Sequence, residues 1–495
     1  MQIEDLTATH AMYDENAQKW EFLLNSYSGG YQYRNGQYLI KYVKEKDDEY
    51  DKRLELTPLD NHCKNVINIY SSFIWRLPPT RNFGSQNNSP AVRQFMDDAD
   101  MDGRTLNAFM RDAQAWSSVY GHCWILVDKP KSDALNRAHE LDSEIRPYLT
   151  LITPENVLDW RYERAASGRY VLTMLKVREW ATATESFYRV WEPDQIISYR
   201  ASGDEVELVE KVDNPLGQVP AACLYANRSP VRGIGISDIN DVAIMQKSIY
   251  NELSEIEQLI RITNHPSLVM GQNTDASAGA GGVIVADDNE VIKPYLLQPN
   301  GGNLDAIRAS ISDKVEAINR MTHMGAVRAT QAQTKSGVAL QTEFQLLNAK
   351  LSEKADLLEL TEEQIWGWFA LWQGVTPDIT ADYPASFDLR DYGTELEFLQ
   401  RARASGVQSA TFNKGVDKAI VELVLSDEDV VNAIKEIEES TLTIGQFDDE
   451  AQIFKYHIDS GVVTRNEARE GLGLDPVSGG DKPVEPYGQP VAEAV

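Results

Sequence analysis

The chain has 495 residues and a formal net charge of −29, with 42% hydrophobic and 25% charged residues. A single hydrophobic core does not grow to that length, so roughly two to four structural units are expected. The apolar share excludes global disorder, and the acidic balance excludes a sequence-reading nucleic-acid binder, which carries a basic footprint.

An acidic wall still lets DNA pass without gripping it, because it repels phosphate; general solubility is the plainer reading of the same charge. Residues 1–14 lack the basic and apolar stretches of a signal peptide, and none is expected. No run of about eighteen apolar residues occurs, so no membrane span is expected. Cys63, Cys123 and Cys223 are too far apart for a disulfide framework or a zinc cluster and read as buried thiols in a reducing cytoplasm. His62 and His122 precede two of them, but adjacent residues rarely chelate one ion.

Up to Tyr120 the chain reads mainly as helix. Residues 16–27 and 57–77 carry apolar side chains at helical spacing, the second through Leu59, Cys63, Val66, Tyr70, Phe73 and Leu77, before Pro78-Pro79. Residues 104–118 resume the period through Leu106, Phe109, Met110, Ala113 and Trp116. From 120 to 225 short β-rich runs alternate with turn signals: 123–127, 148–152, 170–177, 187–191, 196–199, 206–212 and 222–225. Runs this close together predict an antiparallel sheet with hairpin connections, and with the preceding helices an α+β unit.

At Ile236 the helical period returns. Val242, Met245, Ile249, Leu253, Ile256 and Ile260 form one apolar stripe, with Asp238, Asp241, Glu252, Glu255 and Glu257 on the opposite face. A helix of ~28 residues would be about 42 Å long. Asn264-His265-Pro266 stops it. A segment of small residues (271–282) runs into Val283-Ile284-Val285 and then 291–297, before Gly301-Gly302. A second striped helix follows through Leu304, Ile307, Ile311, Val315, Ile318 and Met321. By themselves the two stripes fit a plain antiparallel hairpin equally well.

Residues 322–337 form a polar loop free of acidic residues, with Gly325, Arg328, Gln331, Gln333, Lys335 and Gly337. A long helix over 338–373 carries Leu340, Phe344, Leu347, Leu351, Ala355, Leu358, Ile365, Phe369 and Trp372 on one side, and a strand is expected at 385–389. Residues 395–474 read as helical and acidic, and the tail from Val477 as disordered. Between Asp378 and Lys455 there are 17 acidic and seven basic residues.

Catalytic signatures are missing from the sequence. It has no GxxxxGK[ST], no HExxH and no GxSxG, and Gly233-Ile234-Gly235 lacks the third glycine of a nucleotide fingerprint. No enzyme, cofactor or metal is expected; a two-metal nuclease site among the many carboxylates is the remaining enzymatic reading.

Three strings, in this order of parts, carry a resemblance. Thr153-Pro154-Glu155-Asn156-Val157-Leu158-Asp159-Trp160 is one, and Ser336-Gly337-Val338-Ala339-Leu340 is another. The most specific is Gly461-Val462-Val463-Thr464-Arg465-Asn466-Glu467-Ala468-Arg469 with Leu472-Gly473-Leu474 and Gly479-Gly480-Asp481. The chain resembles the portal proteins of tailed bacteriophages over nearly its whole length. The resemblance implies a multidomain α+β portal fold: an N-terminal α/β wing (1–235), stem helices (236–263 and 303–323) and a clip between them (264–302). A tunnel loop, long wing helix and return strand (324–393), a helical crown (394–476) and a flexible tail (477–495) complete it.

It further implies a homo-oligomeric ring, most often of twelve subunits, at one capsid vertex of the virion, assembled in the host cytoplasm. Double-stranded DNA would pass through it without sequence specificity. The implied partners are the terminase large subunit, a head-completion or tail adaptor, and the major capsid and scaffolding proteins. Arg328, Gln331, Gln333 and Lys335 become candidates for contact with the DNA backbone, although the two cations could instead pair with acidic residues of an adjacent subunit. Val242, Met245, Ile249, Leu253, Ile256, Ile260, Ile307, Ile311, Val315 and Ile318 would pack the stem within and between subunits. The clip would dock terminase and adaptor; a flexible surface loop is the competing reading. The rival functions are another ring-forming head–tail adaptor and a metal-dependent nucleic-acid enzyme.

Overall fold

The computed structural model describes residues 2–87, 89–131, 140, 145–264, 267–271, 283–286, 294–297, 302–325, 327, 337–387, 392–405, 407, 409–425, 427–439, 463–471 and 475–481. It divides into two units, Met1–Asp388 and Leu389–Val495.

The first unit opens with α1 (Ile3–Thr7), α2 (Ala11–Ser28), α3 (Gly30–Tyr33), α4 (Asp47–Leu56) and α5 (His62–Ile74). Caps move the expected boundaries. α2 starts after His10, whose ring accepts from the Met12 N–H at 3.1 Å, and α5 after Asn61, whose side chain accepts from the Lys64 N–H at 2.8 Å. α5 starts only at His62 and stops at Ile74, well before Pro78-Pro79, so Leu59 and Leu77 lie outside it, and Leu77 is 48% exposed. Next come β1 (Thr80–Asn82), α6 (Pro90–Asp97) and α7 (Leu106–Tyr120), the last bounded by a Thr105 cap and by Gly121 in the left-handed region. The stripes of α5 and α7 (Cys63, Val66 and Tyr70 with Leu106, Phe109, Met110 and Ala113) are buried in one core.

The β-rich region is antiparallel, as the turn signals predict, but it forms two sheets. Its strands are β2 (His122–Asp128), β3 (Tyr148–Ile152), β4 (Val157–Arg164), β5 (Tyr170–Ala181), β6 (Glu185–Trp191), β7 (Gln195–Ser202), β8 (Glu205–Asp213) and β9 (Ala221–Tyr225). One sheet has the order β3-β2-β9, with β2 buried along its whole length; the other is the meander β4-β5-β6-β7-β8.

Beyond β9 lie α8 (Asn240–Asn264), β10 (Ser267–Gly271), β11 (Val283–Ala286), β12 (Tyr295–Leu297), α9 (Gly302–Met321), α10 (Gly337–Gln373) and β13 (Thr380–Asp382). β10 to β12 form a small sheet of order β11-β10-β12. α8 is 25 residues long, shorter than the ~28 expected, because it starts only at Asn240. The strand expected at 385–389 is displaced: residues 385–387 are irregular, and the strand is β13, which pairs antiparallel with β1. A buried ionic network fixes that ribbon on α10. Arg81 of β1 grips both oxygens of Glu362, to which the Trp366 indole donates at 3.0 Å and the Tyr383 hydroxyl at 2.6 Å. Leu347, Leu351, Ala355, Leu358, Ile365 and Phe369 of α10 join the main core.

The second unit contains α11 (Tyr392–Ala404), α12 (Ala410–Val424), α13 (Asp427–Glu439) and α14 (Arg465–Gly471). Residues 477–481, expected in the disordered tail, are held by side-chain contacts. Val477 donates to the Asn466 side chain at 2.8 Å, and Asn466 donates to Asp481 at 2.8 Å, so the chain is held through Asp481. The rest of the tail lies outside the described residues.

Candidate functional site

The segment leading into α8 is docked by direct backbone contact. A Cβ on Gly121 would stand 2.6 Å from the Gly235 carbonyl oxygen, and a Cβ on Gly235 only 2.0 Å from that of Gly121. Neither position admits a side chain. Gly233 lies equally close to Trp160, whose indole donates to the Arg232 carbonyl at 3.1 Å. Gly233-Ile234-Gly235 is therefore a packing device and not a phosphate cradle.

Just before α8, Asp238 forms an ion pair with Lys354 of α10, with side chains 2% and 3% exposed. Asn227 donates to Asp238 at 2.9 Å, and Lys354 also donates to the Ala226 carbonyl at 3.3 Å. Burial lowers the Lys354 pKa, and Asp238 opposes that shift. The Lys354 ammonium stands 5.8 Å from the Tyr70 ring, and the Tyr70 hydroxyl donates to the Thr322 carbonyl at 2.9 Å, just past α9. One cluster thereby joins α5, the start of α8, the end of α9 and α10. Asp238 is thus buried, where the sequence pattern put it on the acidic outer face.

A second face of α8 is bound by polar side chains that the apolar stripe does not show. Gln246 accepts from the Cys63 N–H and donates to the Ser26 carbonyl, both at 2.9 Å. Asn251 accepts from the Ile40 N–H at 2.8 Å and donates to the Tyr38 carbonyl at 3.0 Å. Ser254 accepts from Arg53 at 3.1 Å, and Arg53 in turn grips both oxygens of Glu45 at 2.7 Å. That grip holds the Glu45 carboxyl below its usual range. A lysine or glutamine inside an apolar helical period is the signal that could have pointed to Lys354 and Gln246.

Most of the predicted stripe positions are buried or half-buried and grade along the helices, but Met321, at the end of α9, is 42% exposed. Val242, Ile249 and Ile318 are buried in the main core, with Met245, Leu253, Ile311 and Val315 half-buried against it. Ile256 is buried, while Ile260 and Ile307, nearer the insertion, are half-buried. Glu252 of α8 receives hydrogen bonds from Ser310, at 2.8 Å, and from Lys314 of α9. The same antiparallel pairing continues in the insertion, where Ser267 to Val269 face Leu297 to Tyr295. β11 lies parallel to β10 on the other side. Arg328, Gln331, Gln333 and Lys335 lie outside the described residues.

The cysteines are free, and burial raises the pKa of each thiol. His122 accepts from the Gly235 N–H at 3.3 Å, and burial lowers its pKa to about 3. Among the described residues no three His, Cys, Asp or Glu side chains gather as a metal site, and no helix is long and apolar enough to cross a membrane.

Similarity to a known family places the chain among the connector proteins of phage particles. Over residues 12–383 the chain matches the family described as phage portal protein, SPP1 Gp6-like, and it belongs to that family. Among solved structures it is similar to the neck of a native GTA particle computed with C12 symmetry, at 10% identity and a TM-score of 0.40, covering 74% of this chain and 89% of that one. It is also similar to the neck of an empty GTA particle computed with C6 symmetry, at 9% identity and a TM-score of 0.40, covering 79% and 94%. No curated protein matches the chain.

Proposed function

We propose that the chain assembles into a ring of twelve subunits at one capsid vertex and forms the channel for DNA packaging and ejection. In this reading residues 1–235 and 324–393 make the wing, α8 and α9 the stem, and 394–476 the crown. The insertion, 264–302, is the clip that docks the terminase large subunit and the head-completion or tail adaptor.

One observation carries the assembly. In a single chain, Val283, Ile284 and Val285 of β11 and Tyr295 and Leu296 of β12 are between 41% and 61% exposed. Successive strand residues point to opposite faces, so both faces of this three-stranded sheet carry apolar side chains into solvent. Contiguous exposed apolar surface marks an interaction site, and a neighbouring copy is the partner that a ring supplies. Negative-stain images and native mass of the purified chain test this: a ring with a central channel supports it, and a stable monomer overturns it.

Arg328 and Lys335, with Gln331 and Gln333, are proposed to contact the DNA backbone from the tunnel loop. The R328A/K335A variant is expected to package or retain less DNA while its ring stays intact. Loss of the ring itself would instead make these residues an interface between subunits.

A further inference from the structure

Among the described residues no strand pairs with the outer edge of β4 or of β8 in the five-stranded meander, although the His10 N–H donates to the Leu158 carbonyl at the start of β4 at 2.8 Å. Open edges present unpaired backbone groups, and folded proteins guard them with charge. Here the two edges carry opposite charge. Along β8 and the turn before it, Asp204, Glu205, Glu207 and Glu210 are exposed, together with Leu208 and Val209. Of those four carboxylates, Glu207 alone has an ion-pair partner among the described residues, Arg200 at 3.8 Å.

At the other edge Arg164 ends β4 opposite Tyr170 of β5, and Arg169 lies in the turn between them. The loop before α8 lays Arg232 on Tyr170, with its guanidinium carbon 3.7 Å from the ring centroid. The same loop places Arg228 over Tyr225, whose hydroxyl accepts from the Gly233 N–H at 2.9 Å. All four arginines are exposed, and none is in an ion pair among the described residues. Tyr170 and Val231 are exposed beside them. The neighbouring carboxylate, Glu163, alternates to the opposite face of β4. Arg164 donates to the Gly168 carbonyl at 3.2 Å, but in a chain of net charge −29 none of the four arginines at this sheet edge meets a carboxylate among the described residues.

We infer that these edges meet between subunits: the acidic β8 edge of one copy docks on the arginine cluster at the β4–β5 edge of the next. The inference rests on the ring reading above and adds which surfaces close the ring. Two different, complementary patches on one chain make a head-to-tail contact, the type that generates rings. Charge across such a contact fixes register and excludes the reversed pairing. Leu208 and Val209 on one side and Tyr170 and Val231 on the other supply apolar area. DNA phosphates would also attract the arginines, but they would leave the acidic edge and the exposed apolar side chains unmatched.

Two variants of the full chain, R164E/R228E/R232E and E205R/E207R/E210R, provide the test by native mass and negative-stain imaging. Each makes both edges of its subunit alike in sign, so each alone is expected to lose the ring. An equimolar mixture is expected to restore it, because acidic-edged and basic-edged subunits can alternate around an even ring. Exposed substitutions of this kind leave the fold intact, which circular dichroism verifies. A ring from either variant alone, or no ring from the mixture of folded variants, overturns the inference. If the arginine variant keeps its ring but loses affinity for double-stranded DNA, the cluster belongs to nucleic acid. If the wild-type chain forms no ring, the ring reading itself fails. Should a reversal unfold the chain, R164Q/R228Q/R232Q is measured instead. Its ring is expected to be weaker and less salt-sensitive than wild type, and unchanged sensitivity overturns the contact.

Discussion

The two ends of the α8–α9 pair are built on opposite terms. At the base, Asp238, Lys354, Gln246 and Asn251 each have their hydrogen-bond partners within the chain. At the insertion, Ile284 and Leu296 stand in solvent. These four side chains are matched within one chain, because burying polar groups without partners costs more than any local gain. The described strands of the insertion leave apolar side chains exposed. In the proposed ring, stability and assembly fall at different ends of one helix pair, and substitutions at the two ends should fail in different ways.

The largest effect on folding is expected at Lys354. K354M leaves the Asp238 carboxylate buried beside an apolar chain, and removing one member of a buried pair costs about 3–5 kcal/mol. Urea denaturation of the full chain reads this as a lower midpoint at unchanged slope. Adding D238N removes the stranded charge, so the double variant should recover part of the loss. A single variant with wild-type stability would show that the pair does not hold the base.

A smaller effect is expected from pH at His122, which lies on the same base contact. Its folded pKa of about 3 is depressed by burial, against an ordinary value of ~6.5. The unfolded chain therefore takes up a proton that the folded chain refuses. The stability that His122 contributes is fully present above the unfolded value and is lost as pH falls from there towards the folded value, at about 1.4 kcal/mol per pH unit. H122Q, which cannot titrate, should flatten the stability profile by that slope between about pH 6 and 4. An unchanged profile would mean that the imidazole charges freely in the folded state.

How much of this was legible follows from what a period can report. Val242, Ile249 and Ile318 repeat at helical spacing, and all three are buried in the main core. The hairpin signals between 120 and 225 likewise yield antiparallel strands. Lys354 and Asp238 are not legible in that way, since their meeting depends on two segments 116 positions apart. α4 was missed because its Asp47-Asp48-Glu49 first turn and mostly polar sequence show no stripe. Leu77 misled because a stripe does not show where a helix stops, and α5 stops at Ile74. Strand β13 was misplaced because Arg81 of β1 and Glu362 of α10 position it, and neither residue belongs to β13.

The smallest effect on folding is expected in the insertion. Ile284 and Leu296 are already exposed in the single chain, so I284K and L296K should each change its stability by no more than about 0.5 kcal/mol. A charge placed in a contact between apolar surfaces must be buried unpaired when the contact forms, which is far more costly than leaving it in water. The same two variants should therefore abolish or strongly weaken the assembled form in native mass spectra while the denaturation curve barely moves. K354M should show the reverse order of sensitivity, losing fold stability first. If I284K and L296K instead destabilise the isolated chain as much as K354M does, these side chains are core residues of the insertion, and the exposed sheet is not an assembly surface.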